Sequence, residues 1–323
     1  MRLAQAAAGA LVALSIGIAV GCGGSGESTD TAAGDPQDVI TFSRYDGRDA
    51  HVLTMAPDGS GVRQVTAAQG IQAHSAISPD GSTIAYTQVN RTGSSIEVID
   101  RNGGAPVVLN RGRKSSMVPS WSPDGSHIAF MSDADGNYEI YTMKRDGSDV
   151  RQLTFTAPPI QHLGPKYSPD GSQLLYATDR DEKDPKNEQD IWVMPADGGT
   201  GTRLTRGIND RESRGWSPDG RRIITQDVKD GVGQLMVLNA DGTGVRKITD
   251  FPVTTPRFRP GGIFPVMSGA VTPVWSPDGR WIAFASNHQG SYDIYRVRPD
   301  GSQMQRITRT SEPELSVGWG PLQ

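Results

Sequence analysis

Side chains able to ligate a metal or carry a proton are sparse in this 323-residue chain, which holds five histidines and one cysteine. Two of the histidines, His74 and His162, fall in a set of six corresponding stretches: 67–74, 111–118, 155–164, 206–214, 250–272 and 309–316. His51, His127 and His288 lie outside them. A protein metal site needs at least three converging ligands, so two histidines are expected to be polar loop residues, and no metal or cofactor is expected. The acid-rich run Asp179–Asp190 has no regular ligand spacing. Asp133-x-Asp135-Gly136-Asn137 lacks the downstream bidentate glutamate of a calcium loop and is expected to be a hairpin. No Gly-x-Ser-x-Gly nucleophile turn occurs.

What the six stretches do carry is positive charge. Arg111, Arg113, Lys114, Arg206, Arg211, Arg214, Arg257, Arg259 and Arg309 stand against five acids, in a chain of net charge -4 and pI about 5.8. Gathered at one place, they would attract an anionic group: a peptide carboxylate, an acidic loop or a uronate. Arg111, Arg113, Arg211, Arg214 and Arg257, with His74 and His162, are therefore the candidate binding residues. The acidic balance of the whole argues against general nucleic-acid binding.

The elements that would gather them are written as a repeat. Ser-Pro-Asp-Gly occurs at Ser78, Ser122, Ser168, Ser217 and Ser276, at steps of 44, 46, 49 and 59 residues. Proline fixes φ at the first turn position, aspartate accepts local backbone bonds and glycine takes positive φ, so each is a tight reversal between two strands. A short apolar strand follows each, such as Ile128-Ala129-Phe130 or Ile282-Ala283-Phe284. A third strand (Glu139-Ile140-Tyr141, Asp293-Ile294-Tyr295) leads to a glycine hairpin, at Gly59, Gly103, Gly147, Gly198, Gly242 and Gly301. The fourth strand is expected to end at Thr66, Asn110, Thr154, Thr205, Thr249 or Thr308.

Six hairpins against five turns is a telling mismatch. The chain starts its first unit at a second strand, Val39–Phe42, and finishes with Val317-Gly318-Trp319-Gly320-Pro321. Trp319 occupies the place of Trp121, Trp216 and Trp275, a place taken by Ile77 and Tyr167 in the other two units. The expected fold is all-β: a six-bladed β-propeller over residues 37–323, with four-stranded blades and a ring closed by the C-terminal strand completing the first blade. In that fold the six stretches are the loops from a fourth strand to the next first strand. They surround the channel mouth on the top face, opposite the short turns. Stretch 250–272 is long and apolar for a loop, and is expected either to plug the channel or to anchor a partner.

An address precedes the fold. Arg2 and an apolar, small-residue run from Leu3 to Val20 form a secretory signal over residues 1–21. Ala19-Val20-Gly21-Cys22 resembles the bacterial lipobox, which implies cleavage before Cys22 and acylation of that residue. Residues 22–36 are polar and glycine-rich, a flexible tether. A chain with one cysteine forms no internal disulfide, so its stability outside the cytoplasm must come from packing.

With tryptophan or tyrosine before Ser-Pro-Asp-Gly, then Ile-Ala-Phe, Ile-Tyr-x-Met and Leu-Thr, the repeat resembles the TolB-like (WD-like) six-bladed β-propellers. The resemblance implies that fold and a propensity to bind proteins; with the signal and lipobox, an exported, membrane-anchored lipoprotein at the periplasmic or extracellular face of the cell envelope is expected. It would act without catalysis, as a monomer, binding an envelope protein or an anionic peptide or saccharide at its top face. Its contact with the membrane would be the lipid alone. Oligogalacturonate lyases also resemble these repeats and use a histidine-rich metal site, which makes a metal-dependent lyase or hydrolase of anionic saccharides the alternative. His74 and His162 would be the residues to serve it.

Overall fold

The computed structural model describes residues 38–110, 115–178, 189–208, 215–252 and 268–321, all within the compact unit Ala33–Gln323. The signal, Cys22 and the tether fall outside the described residues, as do Arg111, Arg113, Arg211, Arg214, Arg257 and most of the 250–272 stretch. The described residues hold strands and no helix, so no helix among them is long and apolar enough to cross a membrane.

The strands group in meanders of four. The chain begins with β1 (Asp38–Tyr45), β2 (Ala50–Met55) and β3 (Arg63–Gln64). Next come β4 (Ile71–Ile77), β5 (Thr83–Asn90), β6 (Gly93–Asp100) and β7 (Val107–Val108), then β8 (Ser116–Trp121), β9 (His127–Ser132), β10 (Glu139–Lys144) and β11 (Arg151–Gln152). The fourth group is β12 (His162–Tyr167), β13 (Gln173–Thr178), β14 (Asp190–Pro195) and β15 (Thr202–Arg203). It is followed by β16 (Gly215–Trp216), β17 (Arg222–Lys229), β18 (Val232–Asn239) and β19 (Arg246–Lys247). Last are β20 (Ser268–Trp275), β21 (Ile282–Ser286), β22 (Asp293–Val297), β23 (Gln305–Arg306) and β24 (Glu314–Pro321). Strand β24 pairs antiparallel with β1, Trp319 opposite Ile40, and so supplies the strand the first group lacks. Short parallel contacts, Ala50 with Ile71 and Val232 with Ser268, join two pairs of neighbouring groups. The arrangement is propeller-like: the first strands β4, β8, β12, β16, β20 and β24 touch one another in that order, and β24 returns to β4.

Each Ser-Pro-Asp-Gly turn is held by the same side-chain bonds. The serine hydroxyl donates to the aspartate (2.5 Å for Ser78 to Asp80, 2.6 Å for Ser122 to Asp124) and accepts the N–H of the residue five positions on. The aspartate accepts the N–H just past the glycine, Ser82 on Asp80 and Ser126 on Asp124. Successive turns also touch: an added Cβ on Gly125 would meet Pro79 at 3.6 Å, and one on Gly171 would meet Pro123 at 3.5 Å.

The hairpin glycines have a second reason to be glycine. Gly147 takes φ +83, and a Cβ there would lie 2.5 Å from the carbonyl oxygen of Leu109 in the preceding group. Gly242 presses on Leu204 in the same way, Gly301 on Ile248, and Gly59, in the first group, on Ile307 of the last. The turn conformation and the packing of one group on the next therefore select the same residue.

The fourth strands stop earlier than the sequence suggests. They are two residues long, and the Thr or Asn beyond them joins the sheet through its side chain. Thr66, Thr154, Thr205, Thr249 and Thr308 Oγ1 and Asn110 Oδ1 accept third-strand N–H groups at 2.7 to 3.0 Å. The core lies between groups: Ala85 and Ile96 pack with Trp121, Phe130 and Met143, and Ile40, Phe42 and Leu53 pack with Trp281, Tyr292 and Trp319.

Candidate functional site

Two sets of side chains build the face that carries the loops from fourth to first strands. One set sits at the start of the third strands and fastens the roots of those loops. Glu139 accepts from Thr154 Oγ1 (2.5 Å) and from the Thr156 N–H and hydroxyl (2.6 Å each). Gln234 accepts from Thr249 (3.0 Å) and the Phe251 N–H (3.0 Å), and Asp293 accepts the Thr310 N–H (3.0 Å) and pairs with Arg306 (2.6 Å). Asp190, the last residue of the acid-rich run and buried, pairs with Arg203 and Thr205.

The other set sits on first strands six residues before Ser78, Ser122, Ser168 and Gly320, and three of its members clasp the preceding group. Gln72 meets Thr66 (3.1 Å) and His51 Nδ1 (2.8 Å). His162 Nδ1 lies 3.0 Å from Glu139 Oε2, both side chains 2% exposed. Glu314 accepts from Thr308 and pairs with Arg44 at 2.7 Å. Burial, the largest influence on Glu139, works to raise its pKa. The hydrogen bonds from His162, Thr154 and Thr156 together outweigh it and hold the carboxyl down at about 2. Burial raises Asp190 and Glu314 above the usual carboxylate range, against their arginine partners.

This corrects the placing of both histidines. His162 is not a loop residue open to a ligand; it opens β12, buried, with its Nδ1 committed to Glu139. His74 is likewise inside a strand, β4. It occupies a bulge where the pairing with β5 shifts between Ala73 and Ala76, at φ +52. Its Nδ1 is shut off from solvent without a hydrogen-bond partner, and burial, with Lys166 nearby, pushes the imidazole down to about 4. The two stand on first strands of groups that do not adjoin, and no group of three metal-ligating side chains occurs among the described residues. The same bulge recurs four residues before the turn serine at Val118 (φ 56), Gly164 (φ 55), Thr272 (φ 51) and, before Gly320, Ser316 (φ 56). Asp133 to Asn137 forms the expected hairpin, with the Gly136 N–H on the Asp133 carbonyl at 2.8 Å.

Sequence reasoning overlooked Phe155. It is 75% exposed, in a loop whose root Glu139 pins at Thr156 and whose far side Asn137 pins at the Ile160 carbonyl (2.5 Å). Ala157, Pro158 and Pro159 beside it are also exposed. One apparent constellation is not a site: Ser126 Oγ lies 2.7 Å from His127 Nδ1 and 2.8 Å from Asp124. The hydroxyl bonds the carboxylate directly, and Ser82 with Asp80 and Ser172 with Asp170 do the same, so this is turn geometry. In a catalytic triad the histidine stands between the two.

Residues 35–183 match the family described as the TolB beta propeller domain. Over that stretch the chain is a TolB-like β-propeller. It is 32% identical over 161 residues to the Tol-Pal system protein TolB of Bordetella pertussis, covering 49% of this chain and 35% of that protein. It is 30% identical over 191 residues to an uncharacterized protein of Agrobacterium fabrum, 59% of this chain and 57% of that one. The TolB-like chain thus spans little more than half of the one relative and about a third of the other. The crystal structure of TolB from Acinetobacter baumannii superposes with a TM-score of 0.71 at 20% identity, over 89% of this chain and 68% of that one.

Proposed function

We propose that this propeller is a non-enzymatic protein-binding module of the bacterial cell envelope, monomeric, with six four-stranded blades in a closed ring. The cyclic contacts of the first strands and the β24–β1 ladder support the ring. A secretory signal over residues 1–21, an acylated Cys22 and a tether to residue 36 would hold it to a membrane. Asp38 pairs with Pro321, beside the ring of turns.

One observation carries the binding role. On the loop face the acids Glu139, Asp190, Asp293 and Glu314 are buried against partners of their own chain, while a large aromatic stands out on a loop fastened at both sides. Exposed aromatics on preorganised supports are the usual anchors of protein interfaces. Envelope binding extends to this chain a role in keeping with its Bordetella relative, a Tol-Pal system protein.

Cross-linking in the native envelope, with wild type and Phe155→Ala compared, tests this reading. A defined partner captured by wild type and lost in the variant is the expected result. Equal capture by both, or partners on the turn face alone, would refute it. Incorporation of labelled fatty acid into wild type but not Cys22→Ser tests the anchor.

A further inference from the structure

On the turn face, the junction between the β4–β7 and β8–β11 groups is closed by an arginine. Arg145, just past β10, stacks over Trp121 of its own group with Cζ 5.5 Å from the ring centroid. Its guanidinium crosses to the β4–β7 group, reaching Asp80 at 3.0 Å, Thr83 Oγ1 at 3.1 Å and Ser82 Oγ at 3.4 Å. Elsewhere Arg222 covers Trp275 (4.9 Å), and Arg296 and Arg298 cover Trp281 (4.5 and 4.1 Å).

One group further on, the repeat places Tyr167 for Trp121, Asp124 for Asp80, Ser126 for Ser82 and His127 for Thr83. The residue in the position of Arg145 is Ala196, and its N–H bonds to Ser172 O as that of Arg145 bonds to Ser126 O. The aspartate, the serine hydroxyl and an aromatic ring are retained, a histidine replaces the threonine, and the guanidinium is missing. In its place is a cleft of about 460 Å³, lined by all five of these residues and by Asp170 and Asp197. Arg151 also borders it, but is turned to Asp149 by two hydrogen bonds, of 2.9 and 3.1 Å.

We propose that this cleft, between the β8–β11 and β12–β15 groups, is a seat for the guanidinium of an arginine presented by another protein. Aspartate beneath, hydroxyl beside and aromatic ring above form the set that holds Arg145 one junction away, and guanidinium suits it by planar hydrogen bonding and stacking. The bonds from Ser122 and Ser126 hold the Asp124 carboxyl at about 2, so it is ionised at neutral pH. The volume is in the range of ligand pockets and larger than one guanidinium, leaving space for the flanking peptide backbone. The site is on the face opposite Phe155 and does not depend on the binding role proposed for that face.

The test is an NMR titration of the ¹⁵N-labelled propeller with acetyl-Gly-Arg-Gly-amide, its lysine counterpart and free arginine amide. Saturable shifts at the Ser126, His127, Ala196 and Asp197 amides are expected with the arginine peptide. The lysine peptide should bind at least about fivefold more weakly, since a point charge cannot reproduce the fork and the stack. In Ala196→Arg the side chain fills its own seat, and affinity should drop at least about tenfold with the rest of the spectrum unchanged. Conversely, Arg145→Ala should open a second seat at the Asp80 junction. Equal binding of lysine, indifference to Ala196→Arg, or no shift at these amides overturns the proposal. Free arginine amide binding as well as the peptide would overturn its assignment to a protein partner.

Discussion

The two faces of this propeller solve the same problem, joining one group of strands to the next, in opposite styles. On the turn face the solution is repeated almost residue for residue: serine to aspartate, glycine against the preceding proline, hairpin glycine against the preceding fourth strand. On the loop face each clasp is different, with Gln72, His162 and Glu314 in equivalent positions and Glu139, Gln234 and Asp293 fastening the loop roots. A repeated solution leaves a motif in the sequence; an individual one does not. The uniform face therefore announces the fold, and the individual face is where loops can differ without loss of the scaffold.

The largest effect should come from breaking what both faces share. Truncation before Glu314 removes β24 from β1 and strips Trp319 and Leu315 from the core between the first and last groups. Loss of any cooperative thermal transition is expected, because among the described residues no other strand pairs with the edge of β1 that faces away from β2. A truncated protein that melts sharply near the wild-type temperature would show that the ladder is dispensable.

Next come two hairpin glycines, one on each face, a pair that separates packing from conformation. Gly147 and Gly136 both hold positive φ, but only Gly147 faces a neighbouring backbone; within 4 Å of a Cβ on Gly136 there is nothing. Gly136→Ala should cost about 1 kcal/mol, the price of a left-handed residue. Gly147→Ala should cost roughly 3 kcal/mol or more, since two groups must separate. Urea unfolding of both variants measures the difference, and equal losses would mean that turn conformation alone selects the hairpin glycine.

This pair also marks how far the sequence could be read. Turn positions, second and third strands and hairpins were legible because each depends on residues adjacent in the chain. The contact of Gly147 with Leu109 spans two groups and leaves no local trace. The left-handed bulge at Val118, Thr272 and Ser316 was hidden for a related reason: valine, threonine and serine do not signal positive φ. The clasps had a faint signal. Counting six residues back from each turn serine, and from Gly320, yields Gln72, Ser116, His162, Arg211, Ala270 and Glu314, a column that is polar in all units but one. Read in that column, His162 is a partner for the group before it and not a ligand for the channel. Phe155 follows Thr154 and reads as one more apolar residue after a strand; its exposure depends on how Glu139 and Asn137 draw the loop back.

The loop face should show itself in acid. The Glu139 carboxyl, held at about 2, has a reference value of 4.5, so its contribution is present above 4.5 and is lost as pH falls from 4.5 towards 2. A shift of that size corresponds to about 3 kcal/mol at neutral pH. Wild type should therefore lose stability steeply over this window, and Glu139→Gln, less stable at neutral pH, should lose less. Parallel profiles of unfolding free energy against pH would show that the His162 clasp does not depend on the charge of Glu139. The turn aspartates Asp80, Asp124 and Asp170 are also held low by their serine bonds, so some slope remains in both proteins.

The smallest effect on stability should be at Phe155. Its side chain is mostly in water, and the bonds that shape the loop belong to Thr156, Asn137 and Glu139, so Phe155→Ala removes little that folding has buried. A change within about 0.5 kcal/mol is expected, with the amide spectrum of the loop root undisturbed. A loss of 2 kcal/mol or more would instead make the aromatic part of the scaffold, and the contrast between a face that specifies the fold and a face left free to vary would fail at that loop.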